Sequence, residues 1–60
     1  MTKSEVLERF NGPSETARIL TQHGWAISSV AITQWNQVPM GRQFQIQVLT
    51  KGRLRVGGGV

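Results

Sequence analysis

Sixty residues with seven Lys/Arg, three acids and no cysteine make one small basic domain of formal net charge +4. A chain this short buries only about 60% of the surface its unfolded form exposes, and with no cysteine it has neither disulfides, structural thiolate zinc sites nor thiol redox chemistry. Hydrophobic residues are 38% of the chain, too many for a disordered polar tract, yet the longest strictly apolar runs, Trp25–Ile27 and Val30–Ile32, are far too short to span a bilayer.

Ser4 is the expected cap of a first helix, with Glu5 at the positive end of its dipole and Val6, Leu7 and Phe10 forming an apolar stripe. Glu5 and Glu8 stand where a secretory signal needs an apolar stretch, so a soluble cytoplasmic protein is expected. Asn11-Gly12-Pro13 ends this helix, and Pro13 suits the first turn of a second one. Ser14, Glu15 and Thr16 continue that turn, Ala17, Ile19 and Leu20 supply the inner side, and Gly24 marks the end. His23 then sits near a helix C-terminus, and Trp25 in the connection covers the edge of the core.

Ser28 or Ser29 caps a third helix running to about Asn36. Ala31, Ile32 and Trp35 share its inner face; Ser29, Thr33 and Gln37 form an outward stripe flanked by Val30 and Gln34, and Val38-Pro39 closes the helix. Residues 42–56 carry two periods at once. Phe44, Ile46 and Val48 alternate with Gln43, Gln45 and Gln47 as in a strand, and Lys51-Gly52 could turn into Leu54 and Val56. Pro39 at a first helical turn, the glutamines, and Ile46 with Leu49 suit a helix ending at Gly52 equally well. Two folds therefore stand open: an all-α domain of four to five short helices, or three helices with a C-terminal β-hairpin at about residues 43–56. Either occupies residues 1–56 as one domain, and Gly57-Gly58-Gly59 opens a flexible tail at 57–60.

Catalysis finds little support. There is one histidine and no tyrosine, and the three acids fit helix starts and exposed helix sides rather than a convergent site. No metal site, cofactor, membrane partner or small-molecule ligand is expected. The placement of charge is more informative. Residues 1–20 hold three bases and three acids, whereas the rest of the chain holds Arg42, Lys51, Arg53 and Arg55 and no acid. Such a half suits a polyanion, with those four bases as candidates for phosphate contacts.

A second helix, a turn and a protruding third helix suit the major groove of duplex DNA, which is about 12 Å wide. Ala17 permits a close crossing, Ile32 and Trp35 anchor the third helix, and Ser28, Ser29, Thr33, Gln34 and Gln37 can hydrogen-bond to base edges. Gln pairs with adenine, and Val30 can touch a thymine methyl. The competing class is a small basic protein-interaction module or an anti-repressor, which would lack the steep salt dependence of DNA binding. An RNA-binding module would need exposed aromatics on a sheet, for which Phe44 and Trp25 are the candidates.

The order VLERF…ETARIL…ISSVAITQW…VP…RQFQIQVLTKGRLRV resembles the Cro repressors of temperate phages and their prophage relatives, from Val6 to about Val56. Its most specific pieces are Phe10, Ala17 and Leu20, then Ile27-Ser28 and Ile32-Thr33-Gln34-Trp35, then Val38-Pro39 with Arg42, Ile46, Thr50 and Gly52. The resemblance implies a helix-turn-helix transcriptional repressor that binds pseudo-palindromic double-stranded operators as a homodimer, with Ser28, Ser29, Val30, Thr33, Gln34 and Gln37 at the bases. Ser14 and Thr16, at the start of the second helix, would then touch the DNA backbone. The subunit contact is expected around Phe44 and Leu54. Within the family, the pattern Pro39…Arg42…Ile46…Thr50…Gly52 is closer to the all-helical members, which favours the all-α alternative. One departure stands out: Thr21–Trp25 is a surplus of about five residues over the usual spacing, and Ala26 stands where the motif usually has glycine.

Overall fold

Thr2, rather than Ser4, starts the first helix. Its hydroxyl accepts from the Glu5 amide at 3.1 Å, and the Glu5 carboxylate accepts from the Thr2 amide at 2.7 Å. This reciprocal box satisfies two donors that a helix start leaves unpaired, which a lone Ser4 cap would not. The computed structural model describes residues 1–57, and among them four helices and no strand. Helix α1 (Lys3–Phe10) stops at Asn11, whose φ of 64° lies in the left-handed region that asparagine tolerates. Gly12 at φ 107° reverses the chain, and Pro13 opens α2 (Pro13–Gln22) at the position where its missing N–H costs nothing.

Helix α2 ends at His23 and Gly24, the glycine at φ 88°. Ser28, the first of the paired serines, caps α3 (Ser29–Thr33), its hydroxyl accepting from the Ala31 amide at 3.1 Å. The helix is shorter than its periodicity suggests. It stops at Thr33, with Gln34 as its cap, instead of continuing to Asn36. Trp35 therefore lies beyond the helix and is half-buried, packed on the core from the side, while Ile32 is the fully buried anchor.

The two-fold ambiguity of residues 42–56 resolves as α4 (Met40–Leu49), so the hairpin alternative is overturned. Alternation along a strand would set Phe44, Ile46 and Val48 on one face. Instead Ile46 is fully buried while Phe44 and Val48 are 56% and 67% exposed. The helical turn separates them: Phe44 and Val48, four apart, share a face that Ile46 does not. The glutamines between them have their own task. Gln47 Oε1 accepts from the Val56 amide at 2.8 Å, and Gln43 Oε1 from the Gly57 amide at 3.1 Å. They hold the returning C-terminal segment along α4, so Gly57 is tied down; residues 58–60 of the expected tail lie outside the described residues. Thr50 makes the turn between the two. Its hydroxyl donates to the Ile46 carbonyl at 2.9 Å and accepts from the Leu54 amide at 3.1 Å.

Met1, Val6, Leu20, Val38 and Ile46 form the buried centre, with Phe10, Trp25, Ile27, Trp35, Leu49 and Leu54 packed around it. The Met1 ammonium donates to the Arg55 carbonyl at 3.0 Å, joining the two ends of the described chain. Among the described residues no helix is long and apolar enough to cross a membrane. Gly41 sits in the first turn of α4 with ordinary helical geometry and open space around it. Gly41→Ala is therefore expected to raise stability by about 0.5–1 kcal/mol, measured by denaturant unfolding, because alanine loses less backbone entropy on folding.

Candidate nucleic-acid interface

The five residues of the expected surplus fall in two elements. Thr21 and Gln22 are the last residues of α2, and His23 to Trp25 lie in the turn that follows. That turn is anchored along its length. The Trp25 amide donates to the Leu20 carbonyl at 2.9 Å, the Thr21 hydroxyl bridges to both backbone groups of Ile27, and Arg42 Nη2 donates to the Ala26 carbonyl at 3.3 Å. The His23 ring stacks on Trp25, with centroids 6.2 Å apart and 20° between planes. Trp25 is half-buried, packed against the core as well as stacked with His23.

Helix α3 is held at both of its ends. Arg42 braces the turn before it, and Lys3 Nζ donates to the Thr33 carbonyl at 2.8 Å at its C-terminus. A cation there satisfies a carbonyl the helix cannot and complements the negative end of its dipole. Along the helix Ile32 faces fully inward, whereas Val30, 62% exposed, and Thr33 and Gln34 face solvent. Ser28 is exposed, and its capping oxygen leaves the hydroxyl proton free to donate. Ser29 is half-buried. Gln37 is exposed in the bend after the helix, so it stands near this face but not on the helical stripe that its spacing suggests.

Across a shallow groove from Ser29 runs one side of α2, formed by Ser14, Ala17, Arg18 and Thr21. Ser14 is exposed there. Thr16, expected beside it at the DNA backbone, is fully buried, and its hydroxyl donates to the Gly12 carbonyl at 2.8 Å. It closes the first turn of α2 and has nothing left for a phosphate; the i+2 offset from Ser14 puts it on the core side of the helix. Arg42 is corrected in part as well. It is half-buried, and its guanidinium is engaged with Gln45 Oε1 at 3.1 Å as well as with Ala26, which makes it a brace of the turn. Lys51, Arg53 and Arg55 are exposed on the segment after α4. Arg53 and Arg55 border a separate depression with Met1, Glu5 and Leu54, and not the groove between α2 and α3.

Two bases at this site escape the sequence reading. Lys3 carries no signal, since it lies thirty residues from the carbonyl it caps. Arg18 had one: it is four residues after Ser14 and so on the same helical face. Its Nε and Nη2 donate to Glu15 Oε2 at 3.0 and 2.6 Å. Those hydrogen bonds, and then the charge of the guanidinium, hold the Glu15 carboxyl below the usual carboxylate range and raise Arg18 in turn. Among the described residues no group of three or more His, Asp or Glu could hold a metal ion.

The arrangement is a short uncharged helix, held at both ends, across a shallow groove from the side of α2 that carries Ser14 and Arg18. No curated protein and no solved structure matches the chain at a significant level. A protein-family model described as DNA-binding transcriptional regulator Cro matches residues 2–59, nearly the whole chain, and the protein belongs to that family of regulators.

Proposed function

We propose that this regulator represses transcription by seating α3 in the major groove of a pseudo-palindromic operator, one copy on each half-site. The observation that carries this reading is the division of α3 itself: Ile32 is fully buried and both ends are pinned, while the outward Val30, Thr33 and Gln34 are exposed and uncharged. A rigid helix with polar, uncharged edges can hydrogen-bond to bases without the non-specific attraction that lysines there would add. Ser28, Ser29 and Gln37 complete the base-reading set, and Ser14, Lys51, Arg53 and Arg55 serve the phosphates. Occupancy of the operator then excludes polymerase or a competing repressor sterically, in the cytoplasm of a bacterial host.

The size of the domain supports two copies. The described domain is 27 Å in its longest dimension, and half-sites on one face of B-DNA lie about 34 Å apart. One copy cannot occupy both. Helix α4 supplies a face for the second copy. Met40, Phe44 and Val48, at i, i+4 and i+8, are 58%, 56% and 67% exposed. The one charge on α4, Arg42, is turned to the Ala26 carbonyl, so a copy of this face meets no like charge across a two-fold axis.

Selection of bound duplexes from a random DNA pool is expected to return a two-fold symmetric motif. A pool with no sequence preference, or binding insensitive to salt between about 50 and 200 mM, would overturn this function in favour of a protein-interaction module. Gln34→Ala is expected to weaken operator binding by about 1–3 kcal/mol and to leave binding to unrelated duplex nearly unchanged, as read from parallel titrations of the two DNAs.

A further inference from the structure

We propose that Arg18 is a further phosphate contact of the DNA-binding face, held by Glu15 in the free protein and released to the DNA backbone on binding. This rests on the operator-binding function proposed above. Ser14 and Arg18 are on the side of α2 that borders the groove opposite Ser29, the first residue of α3. With α3 in a major groove, that side of α2 fronts the phosphate ridge bounding it. Arg18 is the one base in α2, and its side chain is 54% exposed.

In the free protein its fork is satisfied by Glu15 Oε2 through two hydrogen bonds. Both partners are well exposed, and ion pairs of that kind are weak because water and salt screen them. A DNA phosphate offers the guanidinium the same two-pronged acceptor in a far stronger field, together with release of condensed counterions. The exchange leaves a carboxylate beside the polyanion. Glu15 therefore opposes binding twice, by occupying Arg18 and by repelling DNA. Glu5 and Glu8, the other acids of the chain, belong to α1, so Glu15 is the one acid of α2, and it is paired with the Arg18 that borders the groove.

The test is a salt series of duplex titrations on the full chain, with operator and with unrelated duplex, for wild type, Arg18→Gln and Glu15→Gln. Both substitutions fall on an exposed pair, and unchanged thermal unfolding confirms that both variants are folded. Arg18→Gln is expected to lower affinity for both duplexes alike and to flatten the plot of log affinity against log salt by about 0.9, the signature of one lost phosphate contact. Glu15→Gln is expected to raise affinity for both duplexes several-fold at low salt. An unchanged slope in Arg18→Gln overturns the contact, and an unchanged or lower affinity in Glu15→Gln overturns the restraint. If wild type binds operator with a steep slope while either variant gives its contrary result, this proposal alone fails. If wild type binds no duplex, the operator-binding function fails, and this proposal with it.

Discussion

Ile46→Ala is expected to lower the stability of the fold by about 2–5 kcal/mol, whereas Val48→Ala, two residues away, leaves it within about 0.5 kcal/mol. Ile46 is fully buried between Val6, Leu20 and Val38, and Val48 is mostly exposed. Truncating a buried isoleucine removes its transfer free energy and leaves a cavity, a loss of about 2–5 kcal/mol. A domain of this size has about 3–9 kcal/mol in all, and no disulfide to limit the loss. Circular dichroism through a urea titration checks both variants. The pair is diagnostic because a strand would have put the two side chains on one face with equal burial; similar losses at both positions would overturn the helical assignment of residues 40–49.

Phe44→Glu is expected to leave the monomer folded and to weaken operator binding about a hundredfold or more. The side chain lies at the middle of the Met40, Phe44 and Val48 stripe and makes no part of the buried centre. Across a two-fold axis the substitution brings two carboxylates into an apolar contact, and like charges so placed cost several kcal/mol; each 1.4 kcal/mol is tenfold in affinity. Sedimentation measures the association of the free protein, and operator titration measures its consequence. Unaltered operator affinity with a folded variant would show that α4 is not the subunit contact. The two variants separate the roles of one helix: its inner side holds the fold, and its outer side is the proposed contact between copies.

What could be recognised from the residues alone was local or repeated. Pro13 at a helix start, Gly24 past a helix end and one serine of the Ser28-Ser29 pair as a cap each depend on neighbours within a turn, so their chemistry is readable along the chain. The family was legible too, because its marks are spread from Phe10 to Gly52 and do not depend on knowing the fold. The candidate base-reading residues Val30, Thr33 and Gln34 are exposed on the helix or its cap for the same reason: a helical period of 3.6 separates them from Ile32.

Other features waited on contacts between distant segments. Phe44, Ile46 and Val48 fit both periods, and only packing shows that Ile46 alone enters the core while Gln43 and Gln47 accept from the Gly57 and Val56 amides of the returning segment. Thr16 looks like a surface residue of a first turn, yet the packing of α2 on the core closes over it. Arg42 resembles a free cation until the turn before α3 brings the Ala26 carbonyl to it, and Lys3 until α1 and α3 meet. Helix periodicity runs past Thr33 to Trp35, but the chain must leave the helix there for Val38 to reach the core. Spacing along a chain determines which side chains share a face; which face is buried, and which charge finds a partner thirty residues away, is decided only when the faces compete for one small interior.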